Sequence, residues 1–296
     1  MKVEGLDSAT EIEKITRNIL IGSKAFGKFP TPVDDIIHHA ELTLAQGVSL
    51  HRITTDLLSA SAHFFGNISR KVLGMIDLRE KTIYLDESQA VPRKNFIKLH
   101  EVGHDVLPWQ RKLLGCRDDE TTIVPEVDEL YEREASFFAS AGLFQLERFE
   151  EEASKLPLSI RSARTLAQKF GGSVQASLRR YVEQSPKRCA LIVLHKPERT
   201  LPFRAAIRNY FESRSFRKEF GELVWPGVCG EEFEFIKDIQ RRRRDHEEGQ
   251  IAMTTPALKY QTFQYHFFDN SYNVFILLFP PGEKVASRVR IVMATS

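Results

Sequence analysis

Apolar residues between positions 94 and 107 recur at intervals of three and four, a spacing that predicts an amphipathic helix with one face in a core. The residues of this stripe are Phe96, Ile97, Leu99, Val102, Val106 and Leu107. Pro92 precedes the stripe and Pro108 follows it directly; proline is tolerated at a helix start but ends a helix at an interior position. The pattern therefore predicts a buried helix at about 94–107.

Other periodic segments predict an α-rich domain over residues 1–185. The predicted helices lie at about 8–23, 31–46, 52–64, 126–148, 158–170 and 173–184. Residues 73–86 read as a strand, a polar turn and a second strand, which indicates a small sheet beside these helices.

The character of the chain changes near Ser185, after which aromatic and β-branched residues become frequent. Two such segments flank Asp269-Asn270 and predict a hairpin. The predicted strands of this region are 190–194, 259–268, 271–279 and 288–293. We therefore expect an α+β protein, with a mainly helical domain at 1–185 and a second domain at 186–296 that is built on an antiparallel sheet.

Residues 100–104 read His-Glu-Val-Gly-His, an H-E-x-x-H motif inside the predicted buried helix. Histidines at i and i+4 lie one turn apart on one face, so both rings can reach one metal ion. The glutamate beside them can then take a proton from a metal-bound water. The alternative is a pair of ordinary surface histidines. Gly103 favours the metal site, because glycine inside a helix costs roughly 1 kcal/mol and is useful where another backbone approaches closely.

A catalytic zinc site has three protein ligands and one open position, so a third ligand is expected from a second helix. The helix at about 126–146 offers Glu132, followed at helical spacing by the small residues Ala135, Ser136 and Ala139. This face suits close packing against a metal-bearing helix, whereas Glu134 faces another way. A charged helix end with exposed acids is the alternative. Zn²⁺ is the expected ion, although manganese and iron stay open, since two histidines and a carboxylate also serve non-haem iron.

The segment 95–104, followed about one helix later by 132–139, resembles the ImmA/IrrE family of zinc metallopeptidases. Members of that family carry an H-E-L-G-H helix and then an E-x-E-A-x-x-F-A helix. Three further stretches resemble the opening helix, the strands before the zinc helix and the helical segment after it: 32–36, 74–77 with 81–85, and 166–176 with Arg179 and Arg180. The resemblance covers roughly residues 30–185.

The resemblance implies a gluzincin-type endopeptidase in which His100, His104 and Glu132 bind zinc and Glu101 is the general base. Enzymes of this family often act on a transcriptional repressor, in phage, mobile-element or stress-response regulation. The protein substrate is therefore expected to be a DNA-binding repressor.

Two neighbours of the third ligand are possible site residues. Tyr131 is a candidate donor to the oxyanion, although its position favours packing in the core, and Glu134 is a weaker candidate ligand. The chain departs from the family at 105–108, where members often have Leu-Leu-His, and at 143–146, where they often have Leu-Leu-Met-Pro. These departures concern the substrate groove more than the metal site.

Composition is ordinary for a globular protein, with 42% hydrophobic and 28% charged residues among 296. No apolar run approaches the roughly 20 residues of a membrane helix, and the N-terminus does not read as a secretory signal. Three cysteines without C-x-x-C spacing suit a cytoplasmic protein. The net charge of +2 does not indicate a nucleic-acid binder, and the four arginines at 241–244 are flanked by acids that cancel much of their field.

A non-catalytic regulator is the alternative function, in which the chain binds a repressor, a toxin or DNA and the metal is structural or absent. A helix-turn-helix at 158–184 is possible but is not favoured, and a helical pair packed on the catalytic core is expected instead. A latent enzyme covered by its C-terminal domain is a third possibility. We expect 82–85 to be an edge strand that holds an extended peptide, and His195 and His266 to be ordinary strand residues.

Overall fold

The structure, a computed structural model, describes residues 6–45, 74–115, 125–197, 202–241, 245–256 and 260–283. These residues form an α+β protein, as the sequence predicts. The chain divides into two compact units, Met1–Phe149 with Gln168–Ser173 and Glu150–Ala167 with Val174–Ser296. Most of the helical pair at 158–184 therefore groups with the C-terminal strands, and the domain boundary near 185 stays a prediction.

The first unit combines helices with a small sheet. In chain order its elements are α1 (Ala9–Gly22), α2 (Val33–His39), β1 (Thr43–Leu44), β2 (Gly74–Asp77), β3 (Thr82–Leu85), α3 (Val91–Val106), α4 (Pro108–Gly115) and α5 (Pro125–Leu143). The helix α3 is central, since it contacts α2, α4, α5, β2 and β3. Leu99 and Val102 of α3 are fully buried, which confirms the predicted apolar stripe.

Two predicted helices end earlier than expected, and in both cases the backbone turns at residues with positive φ. α2 ends at His39 rather than near 46, because Glu41 has a φ of 59° and the chain then enters β1. α5 ends at Leu143 rather than near 148, and Gln145 and Leu146 follow with φ of 51° and 55°. A left-handed residue cannot continue a right-handed helix.

Three strands form the small sheet in the order β1-β3-β2. β3 is parallel to β1, with Thr43 opposite Thr82, and antiparallel to β2, with Ile76 opposite Ile83. The prediction that Thr82–Leu85 is an edge strand is therefore wrong, because β1 occupies its second side. Among the described strands of this sheet, β2 is an edge and also contacts α3.

The helices α3 and α5 approach closely at Gly103. A Cβ atom at this position would lie 3.2 Å from the Cα of Ala135 and 3.2 Å from Cδ1 of Phe138. Ala135 and Phe138 are both buried, so neither can move aside into solvent. The missing side chain thus lets the second helix pack against the H-E-x-x-H helix, as the sequence predicts.

The later elements are α6 (Arg148–Ser154), α7 (Ile160–Phe170), α8 (Val174–Glu183), β4 (Ala190–His195), β5 (Ala205–Glu212), α9 (Arg214–Phe220), β6 (Val228–Cys229), α10 (Glu234–Gln240), β7 (Asp245–Thr254), β8 (Tyr260–Asp269) and β9 (Asn273–Phe279). The strands form a six-stranded sheet in the order β6-β5-β4-β9-β8-β7, and each neighbouring pair is antiparallel. The predicted hairpin is confirmed, with Asp269 of β8 opposite Val274 of β9.

The strands β4 and β9 are central in this sheet, and α8 packs against β4 and β5. His195 and His266 lie in β4 and β8, as expected. Arg241 forms an ion pair with Asp238 at 3.2 Å. The predicted helix at 52–64, the predicted strand at 288–293 and the arginines at 242–244 lie outside the described residues. None of the described helices is long and apolar enough to span a membrane.

We predict that Gly103→Ala destabilises the metal-free protein although alanine is the better helix former. Overpacking against Ala135 and Phe138 costs about 1–3 kcal/mol, and the gain in helix propensity of about 1 kcal/mol offsets only part of it. Gly142→Ala is the matched control, because a Cβ there would meet the Leu99 Cδ1 at an ordinary 3.7 Å. Urea unfolding should show a lower midpoint for Gly103→Ala and an equal or higher one for Gly142→Ala. Equal shifts in the two variants would contradict the close approach.

Candidate metal centre

The helix α3 places His100, Glu101 and His104 at the contact with α5. His104 and Glu101 are buried, with 8% and 6% of their surface exposed, and His100 is half-buried. The fourth-residue spacing directs both imidazoles to the same side, and their rings meet edge to face with centroids 4.8 Å apart. The local fold therefore brings both histidines to one point, as the motif predicts.

Glu132 of α5 completes a cluster with the two histidines. The Nε2 atoms of His100 and His104 are 3.1 Å apart. One carboxylate oxygen of Glu132 lies 3.2 Å from Nε2 of His100, and the other lies 3.4 Å from Nε2 of His104. Among the described residues, these three form the one group of acidic, histidine and cysteine side chains with a spacing suited to a metal ion.

The spacing of these atoms fits a zinc ion. Zinc binds nitrogen and oxygen ligands at about 2.0–2.2 Å, so neighbouring ligand atoms of a tetrahedral site are about 3.3 Å apart. The two histidine nitrogens are 3.1 Å apart, and each lies 3.2 or 3.4 Å from one of the two oxygens of Glu132. With one ligand atom from each residue, all three atoms lie within 4.8 Å of one another, which is close enough to share one ion. Two imidazoles and one carboxylate also leave a fourth position open, which is the arrangement of a catalytic rather than a structural site.

The three groups are electrostatically coupled. Hydrogen bonds from His100 and His104 hold the pKa of Glu132 well below its usual range. Burial disfavours the charged form of His104, but its bond to Glu132 and the nearby carboxylate of Glu101 outweigh burial and raise the pKa of His104. The negative carboxylate of Glu132 thus favours a proton on His104, and a metal ion bound between these groups would replace that proton.

Glu101 lies beside the cluster, and burial is the main influence on its carboxyl group. Burial raises the pKa of this carboxyl, and the charges of His104 and His100 only partly oppose the effect. The carboxylate lies against the start of β2, since a Cβ at Gly74 would come within 3.0 Å of its Oε1. A raised pKa suits a residue that accepts and returns a proton near neutral pH.

Two further side chains contact the histidines, and neither was predicted to do so. The amide oxygen of Gln110, which can only accept, lies 2.8 Å from Nδ1 of His104, and Ser136 Oγ lies 3.3 Å from Nδ1 of His100. Trp109 and Gln110 both donate to Glu134. The sequence indicates this arrangement only through Pro108, which ends α3 and begins α4. The new helix brings Trp109 and Gln110 back toward the motif.

The two possible site residues next to Glu132 are both buried and lie outside the cluster. Glu134 receives hydrogen bonds from Ser8, Trp109 and Gln110, and it is 3% exposed. Tyr131 is 7% exposed, and burial raises the pKa of its hydroxyl. The backbone carbonyl of Tyr131 accepts a bond of 3.1 Å from Gln110. These contacts give Glu134 a supporting position behind the cluster.

Part of the chain that includes this cluster matches a known protein family. Residues 50–181 match the family model described as the IrrE N-terminal-like domain, peptidase M78. This segment is an ImmA/IrrE-type domain. The match contains α3, α4 and α5 and therefore all the residues of the cluster. The family is of a metallopeptidase type, and it is typically metal-dependent.

The chain also has a weak likeness to a solved structure. A Mycobacterium tuberculosis transcriptional regulator superposes with a TM-score of 0.49 at 12% identity, over 92% of this chain and 77% of that one. No curated protein sequence matches the chain.

We predict that Glu101→Gln stabilises the metal-free protein and that the gain grows as the pH rises above about 4.5, the ordinary pKa of a glutamate. Because the folded-state pKa of Glu101 is raised, folding favours its protonated form, and that contribution is lost as the pH rises through the folded pKa. Thermal melting of chelator-treated protein between pH 5 and pH 8 measures the difference. Glu129→Gln, which removes an exposed acid on α5, is the control for the loss of a carboxylate in general. A pH-independent effect of Glu101→Gln would refute the buried carboxylate.

Proposed function

We propose that the protein is a zinc-dependent endopeptidase that hydrolyses a peptide bond in a regulatory protein such as a transcriptional repressor. The observation that carries the proposal is the meeting of His100, His104 and Glu132, whose ligand atoms lie within 4.8 Å of one another, beside a buried glutamate. The ImmA/IrrE match supports the reaction class. The DNA-binding repressor as substrate rests on the family resemblance.

His100, His104 and Glu132 would hold the metal, and their coordination leaves one position for water or for the substrate carbonyl. A bound zinc ion would supply Lewis acidity, which makes water a better nucleophile and polarises the scissile carbonyl. The exposed face of Glu132, whose side chain is 56% exposed, keeps this side of the cluster accessible to a polypeptide.

Glu101 would move the proton in this reaction. Its carboxylate takes a proton from the attacking water as the water oxygen bonds to the carbonyl carbon of the scissile peptide. The same carboxyl then returns the proton to the amide nitrogen, so that the carbon–nitrogen bond breaks and a neutral amine leaves. The burial that raises the pKa of Glu101 helps both transfers, because the two protonation states then lie closer in energy at neutral pH.

We expect purified wild-type protein to contain about one zinc ion per chain by elemental analysis. Glu101→Gln should retain the ion, since Glu101 is not a ligand, whereas Glu132→Ala should lose most of it because one of three ligands is removed. Both variants should fail to cleave, with rates reduced at least about 100-fold, the usual contribution of a general base. Cleavage is measured by mass spectrometry on a peptide library derived from a cellular proteome.

Glu129→Gln serves as the matched control for the loss of a carboxylate on α5, because this residue is exposed and lies outside the cluster. It should retain both metal and cleavage. Absence of metal in reconstituted wild-type protein would overturn the zinc site. Retained biological activity in Glu101→Gln, with metal bound, would instead indicate a non-catalytic regulator.

A further inference from the structure

Gln110 and Glu134 link the cluster to a second layer of buried hydrogen bonds. Gln110 is fully buried at the start of α4, and its Oε1 lies 2.8 Å from Nδ1 of His104. Its amide nitrogen donates to the carboxylate of Glu134 at 2.8 Å and to the carbonyl of Tyr131 at 3.1 Å. Neither acceptor can donate a proton.

These two acceptors fix the orientation of the Gln110 amide. A carboxylate and a backbone carbonyl both require a donor, so the amide nitrogen must face them. The amide oxygen then faces His104, and this oxygen can only accept. His104 therefore carries a proton on Nδ1, and in its neutral form the lone pair of Nε2 is directed at His100 and Glu132.

Glu134 is itself held in place by other donors. Trp109 Nε1 donates to the same carboxylate oxygen as Gln110, at 2.6 Å, and Ser8 donates to the other oxygen. Glu134 is thus fixed by three donors and cannot turn toward the metal cluster without breaking all three hydrogen bonds. Breaking the hydrogen bonds of a buried carboxylate is costly, so Glu134 stays in the second layer.

We propose that Glu134 acts through Gln110 to hold His104 as the tautomer whose Nε2 is available to a metal ion. The pair are positioning residues, and the inference rests on the proposed zinc site. Ser136, which faces Nδ1 of His100, differs because a hydroxyl can donate or accept and so does not select a tautomer. The two histidines are therefore held unequally, and His104 depends more on its support.

The first test reads the tautomer without any metal. Two-bond ¹H–¹⁵N correlation spectra of chelator-treated protein, recorded at a pH at which the imidazoles are neutral, distinguish the Nδ1–H and Nε2–H forms of each histidine. Wild-type His104 should be the Nδ1–H form, and Gln110→Leu should show a mixture. Ser136→Ala should leave the His104 signal unchanged. An Nε2–H form of His104 in the wild type would overturn the proposal, whatever the variants do.

The second test measures Zn²⁺ affinity by competition with a chromophoric chelator. Loss of such a support typically weakens metal binding about 10–100-fold, and we expect this for Gln110→Leu. Glu134→Leu removes the carboxylate that orients the Gln110 amide, so it should weaken zinc binding in the same direction. Unchanged affinity in folded Gln110→Leu would overturn the role of Gln110. If the wild type binds no zinc, the proposed function fails. The tautomer measurement still shows whether Gln110 holds His104 in the Nδ1–H form.

Discussion

The close approach of α3 and α5 is the constraint on which the rest of the site depends. His100 and His104 come from one helix and Glu132 from the other, so the distance between the helices sets the separations of the ligand atoms. That distance is possible because Gly103 has no side chain where the backbone of Ala135 passes. The packing of the two helices therefore determines the geometry of the metal ligands. A small change in side-chain volume at this contact would also move the ligands, because protein interiors are closely packed.

The site also carries an electrostatic cost that packing must offset. Glu101 is a buried carboxylate whose charge is disfavoured by burial, and the protonation of His104 is linked to that of Glu132. The raised pKa of Glu101 means that its charged form reduces stability at neutral pH, whereas the lowered pKa of Glu132 means that its contacts with the histidines favour its charged form. Retaining a buried carboxyl at position 101 is consistent with a functional site that the surrounding core stabilises.

Local patterns predicted the parts of the structure that local physics determines. The apolar stripe predicted α3, and the E-x-E-A-x-x-F-A segment predicted α5. The Asp269-Asn270 turn predicted the β8–β9 hairpin. The error at β3 arose elsewhere. Its second neighbour, β1, has two residues, too few for any pattern, and it pairs with a strand distant in sequence. The role of Gln110 was missed for a related reason, because it depends on how α4 folds back beside α3 rather than on spacing within one helix.

The two glutamates of the E-x-E segment show how one helix can serve two layers of a site. Positions two apart on a helix are about 200° apart around its axis, so Glu132 and Glu134 cannot face the same neighbours. Glu132 is partly open to solvent and meets the histidine nitrogens, whereas Glu134 is closed off among Ser8, Trp109 and Gln110. The exposed carboxylate is free to adapt to an ion. The buried one is fixed by its donors, and through Gln110 it orients the ring that faces that ion. The two glutamates are chemically identical, so their different roles come from their positions on different sides of α5.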